Sequence, residues 1–225
     1  MARLTVDNIQ SKVASLVDQD ENTSNLDSTD YSLRLTYLNR SLFKWAEIQD
    51  WQVLFKEYNM AVSTSTGNAS VVLPNNFRKL AGYPKITFDG TNTADYAEVL
   101  PQNDQYEKTE KRVWILGNPN SGYILRVFGA TLASGASVKV PYFASPVSLA
   151  SPADIPEIPN AEYLVQDCIA QIWESREDPR FPQAKADADR ILSNMLTFEN
   201  TQNVASDWGR VKTVDEIKYG TRWGE

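Results

Sequence analysis

The chain has 225 residues, with 22 basic and 29 acidic side chains, a net charge of −7, no histidine and one cysteine, Cys168. Without histidine there is no Ser-His-Asp or Cys-His nucleophile system, no HExxH zinc site and no histidine general base. One cysteine makes no intrachain disulfide, CxxC redox pair or cysteine-rich zinc cluster, so the common zinc, haem and iron–sulfur ligand sets are missing and no metal site or cofactor is expected; carboxylates, lysine, tyrosine, serine and threonine remain for chemistry.

Hydrophobic residues make up 42% of the chain and charged residues 23%, with six tryptophans, which fits a folded domain and opposes disorder. No apolar run approaches the ~20 residues of a membrane helix, so no membrane association is expected. The N-terminus carries Arg3, Asp7, Asn8, Gln10 and Lys12 without a continuous apolar stretch, which opposes a signal peptide. The acidic balance opposes a DNA-coating role, which needs a basic footprint.

Residues 4–18 read as a short helix, with Leu4, Ile9, Val13, Leu16 and Val17 near helical spacing and Thr5 as N-cap. Residues 18–29 are polar. Asp18, Asp20 and Asn22 alternate as in a calcium loop, but Thr23 and Thr29 stand where glycine and glutamate are needed, so a solvated turn is expected. Residues 30–50 read as a second helix with an apolar stripe of Leu35, Leu38, Leu42, Trp45 and Ala46 and with Asp30, Arg34 and Lys44 off it.

From Trp51 the period changes to that of strands. Val53, Phe55, Tyr58, Met60 and Val62 are followed by a Gly67-Asn68 turn and a run over 70–73, which predicts a hairpin. Further strands are predicted at 85–88, 96–100, 113–116, 123–128 and 137–143, separated by Asp89-Gly90, Asn118-Pro119-Asn120 and Ser134-Gly135 turns. Pro146, Pro152, Pro156 and Pro159 mark a boundary. Two helices follow. One carries the rows Leu164, Cys168, Ile172 and Val165, Ile169, Trp173; the other carries Ala184, Ala188, Ile191, Met195 and Phe198 on one face. They form a helical hairpin across about five residues.

The predicted fold is therefore α+β. A helical bundle (two N-terminal helices over 1–52 plus a C-terminal hairpin over 151–202) carries an inserted small antiparallel β-sandwich or barrel over 53–150. An extended arm over 203–225 closes the chain. Charge follows this division. Residues 154–199 hold ten acidic and four basic side chains, residues 53–150 hold seven and nine, and residues 200–225 balance four against four.

The candidate catalytic constellations are weak. Asp187 and Asp189 stand two apart on a predicted helix and point different ways, and Glu107 and Glu110 sit in a mixed-charge loop, so a two-carboxylate glycosidase is a poor fit. No nucleophile elbow or phosphate loop is present. Trp45, Trp114, Trp173, Tyr142 and Phe143 stand at core-facing periodic positions, and Cys168 lies in an apolar row. The last segment interleaves Trp208, Arg210, Lys212, Lys218, Tyr219, Arg222 and Trp223, the residue types that dominate binding hot spots, and reads as a docking arm.

Several phrases in fixed order carry a resemblance. Asp50-Trp51 ends a helix. Val72-Leu73-Pro74-Asn75-Asn76-Phe77-Arg78-Lys79-Leu80 follows a Gly67 turn. Val140-Pro141-Tyr142-Phe143-Ala144-Ser145-Pro146 precedes Ala153-Asp154-Ile155-Pro156-Glu157-Ile158-Pro159, and Tyr163-Leu164-Val165 opens the hairpin. Over residues 28–200 the chain resembles the head-to-tail adaptor (connector) proteins of tailed bacteriophages, with Asn76 where relatives carry an acidic residue.

The resemblance implies a non-enzymatic virion protein at the head–tail interface, made in the host cytoplasm. It implies a homo-oligomeric ring of twelve copies that docks on the portal, joins it to a tail tube or nozzle, and surrounds the channel through which double-stranded DNA passes without specific binding. It assigns portal binding to the arm from Trp208 to Trp223. On that reading Glu162, Asp167, Glu174 and Asp187 are candidate channel-lining acids that repel phosphate and keep the duplex centred. The alternative is a virion carbohydrate-binding or baseplate module using the aromatic-rich β block.

Overall fold

The computed structural model describes residues 3–18, 27–61, 69–87, 93–95, 97–98, 112–128 and 136–208. The fold is α+β, as the sequence predicts. The chain forms two compact units, Met1–Leu38 with Pro159–Glu225, and Asn39–Ile158. The second helix contributes to both.

In the helical unit, α1 (Val6–Val17) starts at Thr5, whose Oγ1 accepts the Asn8 N–H at 3.3 Å in a capping box. Val6, Ile9, Val13 and Ala14 are buried, while Leu16, expected on the buried stripe, is exposed. Helix α2 (Ser28–Ile48) brings Arg34 into this unit. Arg34 was expected off the apolar face, yet it is only 3% exposed. It is ion-paired with Asp18, which also takes Arg176 at 3.5 Å. A guanidinium is buried here because a carboxylate comes with it.

Helix α3 (Glu162–Ser175) buries Leu164, Val165, Cys168, Ile169 and Ile172 as the two apolar rows predict. Burial pushes the Cys168 thiol up to about 12. Its Sγ lies 4.0 Å from the Arg34 carbonyl oxygen. Trp173, expected in the core, is half-buried, with the Arg180 guanidinium 4.4 Å from its ring.

Five residues then turn the chain into α4 (Phe181–Trp208), with Glu177 at φ 53° and Asp178 Oδ1 accepting the Arg180 N–H at 2.9 Å. Ala184, Ala188 and Met195 are buried, but Phe198 is 61% exposed and Glu199 is buried instead. At 100° per residue, positions 184, 188, 195 and 199 fall within about 60° of arc, and 198 lies about 40° outside it. Helix α4 continues to Trp208, so the arm expected to be extended from 203 begins as helix. The rest of that arm lies outside the described residues.

In the β unit, Leu42, Trp45 and Ala46 of α2 are buried. Trp51 stacks on Trp45 at 4.8 Å and donates its Nε1–H to the Trp45 carbonyl at 2.9 Å. A short 3-10 turn (Gln52–Leu54) leads into the strands, β1 (Phe55–Ala61), β2 (Ala69–Val72), β3 (Phe77–Leu80), β4 (Lys85–Thr87), β5 (Thr93–Asp95), β6 (Ala97–Glu98), β7 (Arg112–Asn118), β8 (Gly122–Phe128) and β9 (Ser137–Ala144).

The predicted β1–β2 hairpin does not form. β1 pairs with β9, and β2 pairs with β8 in the other sheet. The two strands that flank the Gly67 sequence therefore belong to different sheets, and the local turn signal is overridden by pairing with strands far along the chain. One sheet runs β1-β9-β4-β5 with β3 also on β9; the other runs β2-β8-β7-β6. All pairs are antiparallel except β6 with β7. Val71, Leu73, Val113, Leu125 and Val127 from one sheet meet Phe77, Ile86, Val138, Val140 and Tyr142 from the other in one core.

Candidate interaction surface

Strand β9 alternates strictly. Val138, Val140, Tyr142 and Ala144 are buried, and Ser137, Lys139, Pro141 and Phe143 face the other way. Because cross-strand partners share a face, the register places Phe55 opposite Phe143, Glu57 opposite Pro141, and Asn59 and Lys85 opposite Lys139. With Lys79 opposite Phe143, this outward face carries two aromatic rings, three lysines and one glutamate.

Its side chains are held in place. Phe55, 43% exposed, meets Phe143 edge-to-face, with centroids 6.1 Å apart. Lys79 Nζ lies 6.0 Å from the Phe143 centroid and 2.6 Å from Asp50 Oδ2. Lys139 Nζ pairs with Glu57 Oε2 at 2.8 Å. Lys85 is exposed, and the register places Asp95 of β5 opposite it. Tyr83, 64% exposed, follows Gly82, where a Cβ would stand 3.7 Å from Pro141 Cγ.

One edge of this face is anchored to the end of α2. Arg78 donates to the Ala46 carbonyl, to the Gln49 carbonyl at 3.3 Å and to Asp50 Oδ1 at 2.9 Å. It thereby satisfies carbonyls that a helix end leaves without partners. Phe143, expected in the core, belongs to this outward face. The signal for it was present in the sequence, since Lys139, Pro141 and Phe143 alternate with Val138, Val140 and Tyr142.

The four candidate channel acids are not brought together as free carboxylates. Asp167 is buried, accepts from Gln171 at 3.1 Å and faces Lys185 Nζ at 3.6 Å, so it lines no surface of the chain. It sits where α3 meets α4, and the Lys185 ammonium makes its burial tolerable. Glu162 pairs with Lys12. Asp187 takes Gln183 at 3.1 Å and Arg190 at 3.0 Å. Glu174 is exposed at the end of α3, with no cation partner among the described residues. Of the predicted arm, Trp208 is the last residue of α4; Arg210, Lys212, Lys218, Tyr219, Arg222 and Trp223 lie outside the described residues.

Among the described residues no group of three or more His, Cys, Asp or Glu side chains is placed to hold a metal ion. Among them, too, no helix is long and apolar enough to cross a membrane. No family model and no curated protein matches the chain.

Proposed function

We propose that the protein is a head-to-tail adaptor of a tailed bacteriophage. On this reading it forms a ring of twelve copies beneath the portal, joins the portal to the tail tube or nozzle, and surrounds the path of the leaving DNA. It performs no catalysis; its work is assembly.

The observation that supports this reading most is that two phrases of the resemblance, 72–80 and 140–146, are one structural unit. Phe77 stands opposite Ala144 and Leu80 opposite Tyr142. Tyr142 OH lies 3.2 Å from Asn76 Oδ1, and the Ser145 N–H donates to the Asn76 carbonyl at 2.7 Å. Asn76 therefore acts as a turn residue, the role expected of that position. The third phrase is built on Asp154, whose Oδ2 accepts the Ala150 and Ser151 N–H groups, both at 2.8 Å. Those bonds hold its carboxyl below the usual range.

The portal protein of the same virus is the partner to test. The full chain should co-assemble with it, and a chain lacking residues 209–225 should keep its fold and lose co-assembly. Failure of the full chain to bind would end the adaptor reading. The exposed Phe55 and Tyr83, with half-exposed Phe143, favour a second reading, a virion carbohydrate-binding module, which glycan binding without portal binding would establish.

A further inference from the structure

We infer that the outward face of the β1-β9-β4 sheet is the docking surface for the end of the helical hairpin of a second copy of this chain. The inference rests on the adaptor reading only for the closed ring. The contact itself is argued from the two surfaces.

The sheet face has the composition of a protein-binding patch. Exposed Phe55 and half-exposed Phe143 form a fixed aromatic centre, with Lys79 beside it and Lys139 and Lys85 further along the same face. Two of the lysines already share a carboxylate, Asp50 or Glu57. Lys85 stands opposite Asp95. A polyanion laid on this face would meet those two carboxylates, and the chain's net charge of −7 opposes it as well. A compact surface with a few discrete carboxylates fits better.

The chain supplies such a surface at the end of its own hairpin. Glu174 and Glu177 are exposed there without a cation partner among the described residues. Their backbone is fixed: the Glu177 N–H donates to the Glu174 carbonyl at 3.1 Å, and the Asp178 N–H to the Trp173 carbonyl at 2.9 Å. The Trp173–Arg180 stack beside them offers an apolar and planar surface to the sheet's rings. The two patches differ, so the contact is heterologous. It repeats from copy to copy and closes as a ring when the rotation allows. It also uses the opposite charge biases of the β block and the hairpin.

Two measurements on the full chain without portal test this. Cys168 is buried, so engineered thiols dominate the chemistry. Mixed Lys85→Cys and Glu177→Cys chains, treated with a short bis-maleimide, should yield the cross-linked heterodimer well above either homodimer. In sedimentation at low salt, Lys85→Glu with Lys139→Glu should weaken self-association about tenfold. Glu174→Lys with Glu177→Lys should do the same, and mixing the two variants should restore association.

Heterodimer no more abundant than homodimer, or mixed variants that associate no better than either alone, would overturn the inference. Lysine variants that keep self-association but lose retention on single-stranded DNA would overturn it in favour of a nucleic-acid face. Circular dichroism of each variant confirms folding, since all four positions are exposed or half-exposed. Portal co-assembly is read separately, so a chain that self-associates through this face without binding a portal sinks the adaptor reading alone.

Discussion

The side chain of Asn39, on α2, pairs with the backbone of Leu149 in both directions. Its Oδ1 accepts the Leu149 N–H at 2.7 Å, and its Nδ2 donates to the Leu149 carbonyl at 2.9 Å. An amide side chain thus imitates a strand partner for a proline-flanked segment with no ladder of its own. Only asparagine or glutamine carries both a donor and an acceptor on one planar group.

Asn39→Asp should therefore be worse than a simple loss. It replaces the donor with a second acceptor facing a carbonyl oxygen. The expected cost is about 2 kcal/mol, against about 1 kcal/mol for an exposed hydrogen bond lost alone, measured by urea denaturation. Asn39→Asp as stable as the parent would show that the segment is held by other contacts.

The β7–β8 turn provides a matched pair of glycine tests. Gly117 has φ 116°, and a Cβ there would stand 2.0 Å from the Gly122 carbonyl oxygen. Gly122 has φ 80° with open space around it. Gly117→Ala should cost at least about 2 kcal/mol, through strain and a backbone collision. Gly122→Asn should cost well under half of that, since asparagine tolerates the left-handed region. Thermal melts of the two variants should rank in that order.

Asp178 should titrate far below an ordinary aspartate. The Arg180 side chain, and then the Arg180 N–H, hold its carboxyl down at about 2. A depressed folded-state value means that its contribution is present above the ordinary aspartate value near 4 and is lost as pH falls from there through about 2. Carboxyl-carbon NMR of the native chain should show a midpoint near 2. Arg180→Ala, which keeps the backbone donor, should raise that midpoint only part of the way back. An ordinary midpoint in the native chain would refute the pairing.

Met195 and Phe198 should respond in opposite ways to polar replacement. Met195→Ser empties a buried site and should cost about 3 kcal/mol. Phe198→Ser acts at an exposed ring and should stay within about 0.5 kcal/mol. The reverse order would mean that Phe198 is covered in the folded chain.

Element types were largely legible in the sequence because apolar spacing fixes them locally. The two helical rows of α3 and the alternation of β9 are direct examples. Pairing was not legible. Nothing near Gly67 says that the strand before it belongs with residue 143 and the strand after it with residue 127. The buried charges were missed for a related reason. Arg34 and Asp167 read as surface residues on composition, and Asp18 and Lys185, brought from elsewhere in the chain, help to make their burial possible. The lysine and phenylalanine face was written in the pattern of β9, but a lysine in a strand reads as solvation until its neighbours on β1, β3 and β4 are known.

Strand β9 pairs with β1, β3 and β4, whose partners precede it by about 50 to 90 residues. During synthesis the earlier strands leave the ribosome first and wait for the one that completes their sheet. At ordinary elongation rates the delay between Ala61 and Ser137 is about 4–15 s. Over that time β1 is exposed on both edges. Its central positions, Lys56, Glu57 and Asn59, are charged or polar, which discourages pairing with the wrong chain. The placement of the hub strand last makes this sheet slow and cooperative to close, and it places the demand for solubility on the nascent chain rather than on the finished molecule.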